Sequence, residues 1–134
     1  MIIRTDNLLW PIDKRLQTLL QQEIANSDIE ENRGVILNFR HPEDDHDTGD
    51  FHPVEITLDA YGSIKCISDF ALYGKFPAVR GESIEFDFGL KLLQHFSEEY
   101  PIQEGQELYE LWELKFLRHY EMGVYRQITV RTLK

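Results

Sequence analysis

Three of the five histidines in this 134-residue sequence fall between His41 and Pro53, beside Glu43, Asp44, Asp45, Asp47 and Asp50. Imidazole and carboxylate are the ligands that suit zinc, manganese or nonhaem iron, and a loop joining two strands can bring them together. His41, Asp44, His46 and His52 are the candidate metal ligands, with Glu55 able to enter from the following strand. The spacing matches no strict ligand motif, and the competing reading is a hydrated acidic connection. Calcium fits less well. Aligning Asp44 with the first EF-hand position brings Gly49 to the sixth and Glu55 to the twelfth. However, His46 and Thr48 then stand where Asp or Asn supplies oxygen, and Pro53 intrudes.

His52 and Glu55 flank a strand start, where an imidazole–carboxylate pair can transfer protons. That chemistry needs a nucleophile or an activated water, and the sequence identifies neither. The competing role for His52 is structural, closing the loop through a backbone hydrogen bond. Asp87-Phe88-Gly89 copies the metal-binding tripeptide of kinases in a chain too short for that fold. Phosphate-binding glycine loops, serine-hydrolase elbows and paired CxxC motifs do not occur. Trp10, Trp112, Phe116, Tyr120 and Tyr125 can line a pocket or an interface, but in a small domain helical spacing favours core.

The elements that must position these residues follow from periodicity. Ile12, Leu16, Leu19, Leu20 and Ile24 predict a helix over 11–26, with Pro11 at its first position. Alternation predicts strands at 34–40, 54–60 and 63–73, the last two joined through Tyr61-Gly62. Cys66 then shares a face with Ile64 and Phe70 and reads as a small buried hydrophobe. Residues 74–82 read as a loop, 83–88 as a short strand or the approach to a helix, and 90–99 as a short helix ended before Pro101. Leu108, Leu111, Trp112, Phe116 and Tyr120 predict a helix near 104–122, with Gly123 as its left-handed stop. Residues 124–131 close as a strand. The expected class is α+β: an antiparallel or mixed sheet of four to five strands packed against about three helices, with residues 1–134 as a single domain.

Composition narrows the function classes. Twenty-four acidic residues against 14 basic ones give a net charge of −10, which repels a phosphate backbone and favours a basic partner. Arg126, Arg131 and Lys134 are a thin footprint for nucleic acid. No apolar run reaches the roughly 20 residues of a membrane span. The lone Cys66 forms no internal disulfide, and the N-terminus lacks the pattern of a secretory signal, so a cytoplasmic location is expected.

Asn38-Phe39-Arg40, Phe51-His52-Pro53-Val54-Glu55-Ile56, Glu85-Phe86-Asp87-Phe88, Tyr100-Pro101-Ile102, Glu110-Leu111-Trp112-Glu113 and Gly123-Val124-Tyr125 together resemble a family of small bacterial proteins known only as a domain of unknown function. The resemblance spans nearly the whole chain. It implies a bacterial, mobile-element-associated protein and brings no activity or catalytic residue with it. The leading expectation is therefore a non-enzymatic cytoplasmic module that binds a protein partner or itself, with no cofactor. The alternatives are a protein or enzyme using a divalent metal at His41, Asp44, His46 and His52, and an acidic nucleic-acid mimic.

Overall fold

Strict alternation along the strands decides which side of the sheet is dry. The computed structural model describes residues 1–30, 33–41, 52–73, 79–95 and 98–133. Its strands are β1 (Val35–Arg40), β2 (Val54–Leu58), β3 (Ile64–Tyr73), β4 (Val79–Asp87), β5 (Leu92–His95), β6 (Glu98–Pro101) and β7 (Gln127–Thr132). Its helices are α1 (Lys14–Ala25) and α2 (Gln106–Glu121), the second entered through a 3-10 turn at Ile102–Gly105. The strands form one antiparallel sheet in the order β6-β5-β4-β3-β2-β1-β7. β1 to β6 are a meander, and β7 returns to lie beside β1.

Cross-strand register aligns one dry row, Val130–Leu37–Ile56–Ile67–Phe86–Leu93. Both helices pack on this side. Leu16, Leu19, Leu20 and Ile24 of α1 and Tyr109, Trp112, Phe116 and Leu117 of α2 join the strand residues in one core. Phe116 meets Phe39 edge-on at 5.1 Å and stacks on Trp112 at 5.0 Å. Such aromatic pairs each contribute about 0.5–1.5 kcal/mol beyond burial.

The class is α+β as expected, but the strand count is seven and the helix count two among the described residues. The largest difference is at 90–99. Asp87 accepts from the Leu90 N–H at 2.8 Å, Lys91 takes a left-handed φ of 60°, and the chain turns back as the β5–β6 hairpin instead of a helix. Leu93 is buried between half-buried Leu92 and Gln94, a period of two that leucine-rich composition disguises. The expected loop 74–82 gives way to β4 from Val79, with 74–78 outside the described residues. Cys66 is not on the face of Ile64, because a bulge at Thr57/Leu58 shifts the register and turns it to the opposite side.

α1 begins at Lys14, not at Pro11. Asp13 is its cap and accepts the Arg15 N–H at 2.8 Å, satisfying one of the orphan donors of the first turn. α2 lies where periodicity put it, although Leu111 is 67% exposed and Tyr109 is buried in its place. Gly123, at φ +75°, ends it: its N–H bonds Tyr120 and that of Val124 bonds His119, both at 3.0 Å. This pair of hydrogen bonds closes the last turn as a Schellman motif. The core assignment of Trp10, Trp112, Phe116 and Tyr125 holds.

Candidate functional site

Asp69 of β3 points into the helix-facing side, in a row where its cross-strand neighbours are Val54 and Ile84. A carboxylate in such a place needs partners, because an unpaired buried charge is costly. The indole Nε1 of Trp112 donates to its Oδ2 at 3.1 Å, and Nδ1 of His52 lies 3.2 Å from its Oδ1. The Asp69 side chain is 13% exposed and that of His52 27%. A bulge at Asp69/Phe70, where the Phe70 N–H bonds the Pro53 carbonyl at 2.9 Å, brings the start of β2 close enough for this contact. Lys115, Phe116, His119 and Tyr125 complete the small cleft around the pair. Burial first, and the Asp69 charge second, hold the Tyr125 hydroxyl above its ordinary range. The cleft therefore contains a neutral phenol, and the carboxylate ties α2 and the start of β2 to β3.

The opposite side of the sheet carries neither helix. Register places Thr129, Asn38, Glu55, Ser68, Glu85, Gln94 and Glu99 on one line across all seven strands. Neutral donors alternate with carboxylates. Asn38 donates to Glu55 at 3.2 Å, Ser68 to Glu85 at 3.0 Å and Gln94 to Glu99 at 3.4 Å. Each carboxylate sits two strands from the next, about 10 Å at normal strand spacing. Arg131 reaches Glu55 at 3.9 Å from the β7 end of the line.

Of the four residues expected to bind metal, two are among the described residues. His41 follows β1 and His52 precedes β2, while Asp44 and His46 lie outside the described residues. Glu55 is on the open face and His52 on the core side, so the expected His52–Glu55 pair is replaced by His52–Asp69. Among the described residues, one group of three potential ligands converges within 4.8 Å: Cys66, Glu85 and Asp87. Each already has a partner. Cys66 contacts Ser68 at 3.6 Å, Glu85 accepts from Ser68, and Asp87 accepts from the Leu90 N–H. Burial pushes the Cys66 thiol up to about 12, with the Glu85 and Asp87 charges adding to the effect. That is the opposite of an activated thiolate.

Sequence reasoning missed Asp69, Glu85 and Asp87. The available signal for Asp69 was its spacing from Ile67, which puts an acid on a face that should be apolar.

A one-sided antiparallel sheet, dry beneath two helices and polar on its open face, defines the structural class. A family model described as "Protein of unknown function (DUF2787)" matches residues 14–131, and the chain belongs to that family. The hypothetical protein VC0508 from the VSP-II pathogenicity island of Vibrio cholerae is similar in structure, with a TM-score of 0.78 and 30% identity. That match covers 90% of this chain and 93% of the other. The conserved hypothetical protein VC1805, from pathogenicity island VPI-2 of the same organism, matches with a TM-score of 0.75 and 29% identity over 90% and 94% of the two chains. VC1805 is itself described as sharing structural homology with the human P32 protein. No curated protein matches the sequence.

Proposed function

We propose that this chain is a non-enzymatic, cytoplasmic protein-binding module whose open sheet face takes a basic, extended segment of a partner protein. The observation that carries this reading is the line of Glu55, Glu85 and Glu99, three carboxylates at regular intervals on the face opposite α1 and α2. A polyproline II segment rises about 3.1 Å per residue with about three residues per turn, so side chains three apart lie on one face about 9 Å apart, close to the interval of the carboxylates. A segment with Arg or Lys at every third position therefore meets all three acids while lying across the strands. The same interval is far wider than the 3.4 Å axial rise per phosphate of a DNA strand, which favours a protein partner over mimicry of nucleic acid. The protonated Cys66 and the neutral tyrosines support a binding role over a nucleophilic one.

Fluorescence anisotropy with a labelled Arg-x-x-Arg-x-x-Arg peptide tests this. Binding is expected at low salt and should weaken steeply as salt is added. Glu55→Gln, Glu85→Gln and Glu99→Gln combined should weaken it about tenfold or more, since exposed charge pairs contribute about 0.2–1 kcal/mol each. A peptide with arginine at every second position should bind less well. Equal affinity for the triple variant and the parent would defeat the proposal.

A further inference from the structure

An open sheet has two edges, and those of this one are built differently. β6 is four residues long, carries Glu98 and Glu99, ends at Pro101 and runs straight into the 3-10 turn. Short length, charge and proline are the devices that blunt an edge against pairing. β7 has none of the three at its centre. It pairs with β1 over six consecutive positions without a bulge, and four of its six residues, Ile128, Thr129, Val130 and Thr132, are β-branched.

The ladder also shows which backbone groups of β7 face outward. The Leu133 N–H bonds the Gly34 carbonyl at 3.1 Å, so in an antiparallel pair the residues at 131, 129 and 127 are the ones that bond β1. Ile128, Val130 and Thr132 consequently turn their N–H and C=O groups away from the sheet, and no described residue pairs with them. Their side chains stay half-buried against the core. The surrounding charge is unusual for this protein. Residues 124–133 contain no acid, and neither does β1, whereas Arg40, Arg126 and Arg131 all lie on or beside this edge in a chain of net charge −10. The negative charge of the whole disfavours pairing with a second copy.

We propose that the outer edge of β7 docks an extended acidic segment of another protein as an eighth strand, hydrogen-bonded through Ile128, Val130 and Thr132. Backbone bonds supply the attachment, as in strand addition generally, and Arg40 and Arg126 select acidic side chains, Arg131 being turned towards Glu55. This site stands on a different observation from the open face and is independent of it.

Selection of short random peptides displayed on phage tests the proposal. Recovered peptides should be enriched in Asp and Glu among β-branched residues. Adding the best of them should slow hydrogen exchange at the Ile128, Val130 and Thr132 amides by about tenfold or more. Val130→Pro removes an N–H that makes no bond within the sheet, so it should lower the melting temperature only by its lost packing while the enrichment is lost. Thr129→Pro removes a ladder donor and should destabilise the fold. Arg40→Glu with Arg126→Glu should reverse the charge preference of the selected peptides. The Glu55, Glu85 and Glu99 variants should leave it intact, which separates the two surfaces. No acidic enrichment, enrichment that survives Val130→Pro, or three amides already protected in dilute protein alone would overturn it.

Discussion

Two tryptophans in one core have opposite hydrogen-bonding situations. Trp112 donates to Asp69, while the buried Nε1 of Trp10 has no partner among the described residues and its ring packs against Phe88 and Tyr109. Replacing either by Phe removes similar volume but very different polar accounts. Trp112→Phe strips a half-buried carboxylate of a donor and should destabilise by about 1–3 kcal/mol. Trp10→Phe removes an orphan donor whose burial was already costly, so its packing loss is partly offset. Urea unfolding should therefore rank Trp112→Phe as the more damaging. Combining it with Asp69→Leu should recover part of the loss, because replacing both members of a buried polar pair is better tolerated than leaving one alone.

Elements were readable where a single periodicity ruled. α1, α2, β1 and β2 each show a clean stripe or alternation, and Gly123 marks its helix end through a conformation that side chains avoid. The hairpin at β5 and β6 was not readable, because Leu90, Leu92 and Leu93 satisfy a helical spacing while Asp87 and Lys91 form the turn that decides otherwise. The α1 start is a third case, in which a capping aspartate outweighs a nearby proline. Asp13→Ala should cost about 1 kcal/mol. Hydrogen bonding from the Arg15 side chain, then from its backbone N–H, holds the Asp13 carboxyl below the ordinary 3.8. Its contribution is therefore full above about pH 4 and disappears as pH falls through the depressed value. Thermal melts of parent and variant should differ at pH 6 and converge in strong acid.

At the scale of the molecule, several buried acidic protons are held in the folded state. The Cys66 thiol and the Tyr120 hydroxyl are pushed up to about 12, and Tyr109 and Tyr125 are also raised, burial being the largest cause in each. Their ordinary values are 9.0 for the thiol and 10.0 for the phenols. Stability is thus complete below about pH 9 and declines above it, as the unfolded chain releases protons that the native state keeps. Urea midpoints measured from pH 8 to 11 should fall, and Cys66→Ala should delay the onset. A flat profile would contradict the burial of these groups.

The candidate site was less readable than the fold for a reason of the same scale. His52 was visible as a chemical group, but its partner Asp69 is brought to it by a bulge and a helix from elsewhere in the chain. The open-face line combines side chains from seven strands, and no local pattern in the sequence announces it.

The strand order has a consequence for how the chain acquires its shape. Neighbours from β1 through β6 are also neighbours along the polypeptide, so each pairing is local in sequence and can form soon after the one before it. β1 gains its second flank only from β7, nearly a hundred positions downstream. During synthesis the strand bearing Leu37 and Phe39 must therefore wait, with one side open, until the last strand leaves the ribosome. That interval is when the open side of β1 is exposed to mispairing.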